Sequence, residues 1–294
     1  MTAWRLCDAD WNHWPDDLDD TTLWSTVAAA GFEGMELGVY RVADELAPER
    51  LSGVGRLVRV TGVPVAMLLL SLPADRWPDG ALAGPEAEAV ADEARATAEV
   101  AADLGLGTIG VWPGADGPDA SPAAVLAGAR RVADAVAPTG VRVAMEYKPG
   151  TALASAADAL ALSDAVPGLG VLLDTGHAYA AGEDPAEVVG RLGQRLWHVH
   201  LGDAAEGNAD DDLPVGRLHD FAPFTAALDT AGYAGAASLD LYGTVCAGVA
   251  TGAEAAAESR AHLLAVAHPP PRVLVAERGC VAPFSTTRTP GGRP

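Results

Sequence analysis

Short apolar runs alternate with polar turns and Ala/Glu/Arg-rich stretches from the start of the chain to residue 267. The apolar runs predict strands at residues 4–7, 34–37, 63–70, 108–111, 141–146, 170–173, 197–201 and 237–241. Helical patterns follow at 22–30, 48–60, 86–104, 122–137, 155–165, 185–192, 221–231 and 253–267. Gly31, Gly62, Gly105, Gly140 and Gly232 each stand just past a helix, where a left-handed residue without Cβ closes the last turn. Runs such as VAMLLL and VRVAM are apolar on both faces, which suits strands buried between a packed interior and a ring of helices. Strict alternation of strand and helix implies parallel order. About eight such units close a (β/α)8 barrel. The alternative is an open doubly wound sheet, but DADWNHWPDD stands where its Gly-rich phosphate loop belongs. The expected fold class is therefore α/β, a single (β/α)8 TIM barrel over residues 1–267. From His268 the rhythm stops, and the segment from HPPP to TRTPGGRP predicts a flexible Pro/Gly-rich tail over 268–294.

Composition narrows the partners. With 49% apolar residues in 294, the chain can bury a sizeable core. A net charge of -21 without a basic cluster opposes nucleic-acid binding. No apolar run approaches the roughly 20 residues that span a bilayer, so no membrane partner is expected. The N-terminus lacks a basic segment followed by an apolar one, so no signal peptide is expected. Cys7, Cys246 and Cys280 are few and far apart, which fits reduced thiols in a cytoplasmic protein.

In a parallel barrel the strand C-termini converge on the rim where active sites are built. The fifth strand ends in Glu146, and the sixth in Asp174 with His177 three residues on. The seventh carries His198 and His200, and the eighth ends in Asp240. Any one of these has an ordinary structural role, such as a helix N-cap for Asp174. Three carboxylates buried together are costly without a cation, so the set points to a metal site. Oxygen donors with one imidazole suit Mn²⁺, Mg²⁺ or Co²⁺, and Zn²⁺ is admissible. Only one histidine of WHVH is expected to face the axis. Glu36, at the end of the second strand, is a candidate for orienting metal-bound groups or for capping a helix. Trp112 after the fourth strand, and Trp14 or Trp77 on rim loops, are candidates for stacking on the face of a ligand.

The segments GFEGMELG, EYKP, DTGHAY, HVHLGD and GYAGAASLDLYG resemble the xylose isomerase-like barrel superfamily, which holds sugar isomerases, sugar 3-epimerases, inosose dehydratases and hydroxypyruvate isomerases. The resemblance implies that Glu146, Asp174, His200 and Asp240 bind one divalent metal ion, Mn²⁺ foremost, and that His177 contacts a substrate oxygen. It selects His200 over His198. Glu146 and Asp240 would move protons on opposite faces of the substrate. Asp240 departs from the glutamate of the epimerase branch by one methylene, and Glu206 stands where that branch carries an arginine. The string from Glu146 to Pro149 resembles true xylose isomerases, in which the residue matching Lys148 assists proton movement; a lysine drawn into such a site can have a lowered pKa. Asp210 and Asp212 fall near a second metal position of those isomerases, or form a solvated loop. The superfamily also holds apurinic endonucleases. Their zinc clusters need extra histidines, absent here from LLLSLP and GVWPG, with His219 a partial match.

The implied function is isomerisation or epimerisation of a small polyhydroxylated sugar, polyol or keto acid through a metal-stabilised enediolate. An inosose-type dehydratase on the same scaffold is the alternative, and a non-catalytic sugar-binding or assembly subunit is a third. Relatives form homo-oligomers, though no local feature here encodes one.

Overall fold

The computed structural model describes residues 3–114, 116–117 and 120–267. The tail anticipated at 268–294, with Cys280, lies outside the described residues. The strands are β1 (Arg5–Ala9), β2 (Met35–Val39), β3 (Val65–Ser71), β4 (Thr108–Trp112), β5 (Arg142–Glu146), β6 (Leu169–Asp174), β7 (Leu196–Leu201) and β8 (Ala236–Leu239). Every neighbouring pair is parallel, and β8 pairs with β1 through Arg5↔Ala236 and Cys7↔Ser238. That last pairing closes the barrel and removes the open-sheet alternative.

Each strand is followed by a helix of the outer ring: α1 (Asp20–Ala30), α2 (Pro48–Thr61), α3 (Ala87–Asp103), α4 (Pro122–Val136), α5 (Ala156–Ala165), α6 (Pro185–Leu192), α7 (Ala222–Thr230) and α8 (Gly252–Ala267). Local chemistry sets their ends. Asp19 accepts the Thr22 N–H at 2.7 Å and starts α1, while Gly31 at φ 80° closes it. Asp184 does the same for α6, with Pro185 already fixed in helical φ. Among the described residues no helix is long and apolar enough to cross a membrane.

Short segments that escape the sequence pattern include four after strands: a 3-10 stretch Asp10–Asp16, and the helices Val42–Glu45, Thr175–Ala180 and Tyr242–Cys246. All four follow a strand's C-terminal end, after β1, β2, β6 and β8. Strand ends also differ: β1 runs on to Ala9, and β8 stops at Leu239, which puts Asp240 one residue past its strand.

The barrel interior is filled by Ala9, Trp11, Met67, Leu69, Ala144 and Leu172. A Cβ added at Gly110 of β4 would stand 2.7 Å from Met67 Cε and 2.8 Å from Leu69 Cδ1, so glycine lets this layer close. Truncating a fully buried member such as Leu172 to Ala costs about 2–5 kcal/mol. A much larger layer, including Trp24, Phe221 and Phe224, lies between strands and helices. Leu69 and Trp11 also line the cavity at the rim, so the core forms part of the site's wall.

Candidate metal centre and cavity

Glu146 and Asp174 end β5 and β6, His200 is the penultimate residue of β7, and Asp240 follows β8. One candidate ligand atom from each lies within 4.8 Å of all the others. His200 Nδ1 is 3.6 Å from Glu146 Oε1, 3.7 Å from Asp240 Oδ2 and 3.9 Å from Asp174 Oδ2. Ligands about 2.1 Å from a shared cation lie about 3–4 Å from one another, so the spacing suits one small divalent ion.

Two of these atoms, His200 Nδ1 and Asp174 Oδ2, are buried without a hydrogen-bond partner. Each such orphan costs about 1–3 kcal/mol, and a bound cation would satisfy both. Asp174 shows why its ordinary and metal-binding readings need not compete. Its Oδ1 accepts the His177 N–H at 2.8 Å and caps the helix Thr175–Ala180, while Oδ2 stays free toward the cluster.

The expectation that one histidine of WHVH faces inward is corrected by the structure. His198 and His200 both reach Glu36, their Nε2–H groups donating to Oε2 at 2.7 Å and Oε1 at 3.0 Å. Residues two apart on a strand share a face, and the buried Glu36 carboxylate of β2 sits between them. Glu36 caps no helix. By taking Nε2–H it fixes the tautomer that turns Nδ1 of His200 to the cluster. Burial alone would raise the Glu36 carboxyl, but His198 and His200 hold it well below the usual range.

Glu146 is held at Oε1 by His177 Nδ1 at 3.2 Å, and the same nitrogen also donates to the Tyr147 carbonyl at 3.0 Å. Against a burial effect that raises it, His177 and His200 bring the Glu146 carboxyl down to about 2. Burial opposes protonation of His177, but Asp174 and Glu146 lift it to about 9. Asp240 is pushed up by burial and by the charge of Asp174. Its Oδ1 accepts the Trp11 indole N–H at 3.0 Å, which leaves Oδ2 for the cluster.

Lys148 does not have the lowered pKa that a metal-site lysine can adopt. Burial works in that direction, but Asp210, Asp212 and Glu146 outweigh it and raise the ammonium's pKa. Its Nζ lies 2.5 Å from Asp210 Oδ1 and 5.4 Å from the centre of the Trp112 ring. Lys148 is also the only lysine in the chain, every other Lys/Arg position being arginine.

Of the four donors, Glu146 and Asp240 open into a cavity of about 290 Å³. Glu146, Lys148, His177, Asp240 and Trp112 all line it, as do Tyr40, Tyr242, Asp210 and Asp212. Trp77 is buried and lines no part of it, and Trp14 packs edge-on against Tyr40 and Tyr242, so the stacking roles considered for these two tryptophans are not supported. His219 also lies away from the cluster: its Nδ1 meets Asp203 at 2.6 Å and its ring stacks on Tyr179. Asp210 and Asp212 do not join the four-residue cluster, since Asp210 pairs with Lys148 and Asp212 accepts the Gly243 N–H at 2.9 Å.

The sequence profile of the xylose isomerase-like TIM barrel family matches residues 24–266. The chain belongs to that family. Among curated proteins, an inosose dehydratase from Lacticaseibacillus casei is 26% identical over 127 residues, covering 37% of this chain and 43% of that protein. The match thus spans less than half the length of that relative. Among solved structures, a D-allulose 3-epimerase from Methylomonas sp. superposes with a TM-score of 0.71 at 18% identity, covering 90% of this chain and 99% of that one. An IOLI protein solved with a bound zinc atom gives 0.69 at 17% identity, covering 90% and 98%. At these identities the structural likeness speaks to the fold.

Proposed function

We propose that this family member is a divalent-metal-dependent isomerase or epimerase of a small polyhydroxylated carbonyl compound. The observation that carries the reading is the pair of buried, unpartnered atoms, His200 Nδ1 and Asp174 Oδ2, within a four-residue donor set whose other two members, Glu146 and Asp240, line an enterable cavity. Glu146, Asp174, His200 and Asp240 would hold the ion, with Mn²⁺ the first choice for so oxygen-rich a set. When bound, such an ion polarises a substrate carbonyl and lowers the pKa of the adjacent C–H.

The chain's own groups divide the remaining work. Glu146 takes the proton from carbon, its carboxylate kept ionised and oriented by His177 and His200. Asp240, three strands around the barrel, is the second proton-carrying arm. The ring nitrogen of His177 that is not bound to Glu146 and Tyr147 contacts a substrate hydroxyl. Lys148 supplies an N–H to the substrate carbonyl oxygen, and Trp112 packs against a C–H face of the substrate. Return of the proton to the same carbon gives epimerisation, return to the neighbour gives isomerisation, and loss of hydroxide gives dehydration. The inosose dehydratase among the relatives keeps dehydration as the second reading.

Elemental analysis of purified protein, with Asp174→Ala as control, tests the centre. About one divalent ion per wild-type chain and none in the variant is expected; a metal-free wild type that also fails to take up Mn²⁺ refutes it. Deuterium uptake from D₂O into ketoses and inososes then tests the proton chemistry.

A further inference from the structure

We infer that this cavity takes an uncharged polyol and refuses its phosphate esters and carboxylate analogues, a conclusion that rests on the function proposed above. In (β/α)8 barrels the usual place for a substrate phosphate is formed by the loops after β7 and β8 with the start of a short extra helix. This chain has such a helix, Tyr242–Cys246, immediately after Asp240. Its first backbone donors are directed at the protein's own carboxylates. The Gly243 N–H donates to Asp212 Oδ2 at 2.9 Å, and the Tyr242 N–H is directed at Asp240 Oδ1 at 3.5 Å. Asp212 holds this position with a left-handed φ of 39°, a conformation a non-glycine residue adopts at a cost. The β7 loop also fills the space: a Cβ at Gly243 would stand 2.2 Å from the Asp210 carbonyl oxygen. The place an anion would occupy is therefore already filled by Asp212, whether that carboxyl is ionised or protonated.

The side chains agree with the backbone. Among the described residues lining the cavity, Lys148 is the one lysine or arginine, and Asp210 already pairs with it at 2.5 Å. Glu146, Asp210, Asp212 and Asp240 face the same space. Beyond the metal ion itself, which three carboxylates and a histidine would already surround, an incoming phosphate or carboxylate would find no unpaired lysine or arginine. Juxtaposition with these carboxylates is unfavourable in a partly desolvated site. An uncharged polyol has hydroxyl groups that can donate to these carboxylates. Its C–H faces can pack on the aromatic wall of Trp11, Tyr40, Trp112 and Tyr242.

The test uses Mn²⁺-loaded full-length protein and matched pairs: uncharged ketoses against their terminal phosphates, and glycolaldehyde against hydroxypyruvate. Binding is read by calorimetry, and deuterium uptake is followed in parallel. The expected result is that at least one uncharged member binds and its charged partner binds at least about tenfold more weakly. Asp210→Asn, which removes an exposed carboxylate and frees Lys148, should recover about tenfold in affinity for the phosphate member. Tighter binding of a charged member, or an Asp210→Asn protein no better at binding phosphate, overturns the inference. Deuterium uptake separates the two readings: exchange with a phosphate ester overturns the substrate class and leaves the enzyme reading standing, while absence of both binding and exchange across all pairs overturns both.

Discussion

The indole N–H of Trp11 donates to Asp240 Oδ1 at 3.0 Å, a contact between residues 229 apart in sequence. It exists because β8 closes on β1, which brings the 3-10 stretch Asp10–Asp16 against the end of β8. The neighbouring Asn12 completes the cradle: its Nδ2 donates to the Leu239 carbonyl at 3.0 Å, and its Oδ1 accepts the Leu241 N–H at 2.8 Å. Asp240 is thus gripped through its carboxylate and through the backbone on both sides. A short aspartate arm held this firmly can present Oδ2 to a cation where a longer, freer arm would need no such support.

Trp11→Phe should therefore weaken metal binding while preserving the barrel. Groups that orient metal ligands typically matter by about 10–100-fold in affinity, and the lost hydrogen bond to a half-buried carboxylate costs about 1–3 kcal/mol of stability. Competition of Mn²⁺ against a fluorescent chelator measures the first effect, and urea unfolding of the metal-free protein the second. Unchanged Mn²⁺ affinity in a folded Trp11→Phe protein would show that Asp240 needs no such orientation, or is no ligand.

Glu36 joins two histidines in a place solvent does not reach. Glu36→Gln keeps the volume but offers one acceptor where two N–H donors now arrive. A drop of about 10–100-fold in Mn²⁺ affinity is expected. The thermal midpoint should also fall, since leaving one buried histidine donor unpaired costs about 1–3 kcal/mol. Should the affinity hold steady while only the midpoint falls, Glu36 would be a packing residue and not an orienter of His200.

Metal binding should release a proton, and its affinity should rise with pH. Burial opposes protonation of His200, but Glu36 and Glu146 raise its pKa well above the ordinary histidine value, which favours a proton on Nδ1 while no cation is bound. A cation at that nitrogen must displace it. Calorimetry at pH 7 in buffers of different ionisation enthalpy should give about one proton released per Mn²⁺; no buffer dependence would contradict His200 as a ligand. The metal-free protein has its own signature. A histidine whose folded pKa is raised lends stability that is full below its unfolded value and is lost as pH climbs through the folded one. For His177, raised to about 9, that loss falls between about pH 6.5 and 9. Glu146, lowered to about 2, acts in the opposite sense, lending stability above about pH 4.5 that disappears as pH falls toward 2. Urea midpoints of chelator-treated protein across this range check both slopes.

The strand-and-helix alternation made a parallel sheet covered on both faces legible. The count of about eight units, with no Gly-rich loop after the first strand, favoured the barrel over an open sheet, a choice the pairing of β8 with β1 settles. Glu146, Asp174 and His200 were legible for a related reason: a strand end in a parallel barrel fixes where a side chain goes. Glu36 was only half legible, since its role depends on facing both His198 and His200 across the interior. The two-residue spacing of those histidines already places them on one face of β7, so this signal was present and was misread. Trp11 and Asn12 left no such trace. Their contacts with β8 arise from closure of the ring, and the 3-10 stretch that carries them has neither the helical nor the strand period. The Lys148–Asp210 pair likewise joins two rim loops 62 residues apart, which no local pattern reports.

Lys148 offers the sharpest separation of binding from chemistry. It lies near the metal cluster without belonging to it, and its ammonium is shared with Asp210 over the Trp112 ring. Lys148 is the one lysine of the chain, and its compact ammonium is the group proposed above to donate to the substrate carbonyl oxygen. Lys148→Met and Lys148→Arg should both bind Mn²⁺ within about threefold of wild type, because neither touches the four ligands. Both should slow deuterium uptake into a responsive substrate by about 100-fold or more, the usual scale for losing a proton-transferring group. The arginine variant discriminates between roles: it keeps the positive charge and the partner Asp210 but cannot deprotonate. Full exchange in Lys148→Arg with loss in Lys148→Met would reduce Lys148 to an electrostatic anchor, and full exchange in both would remove it from the reaction.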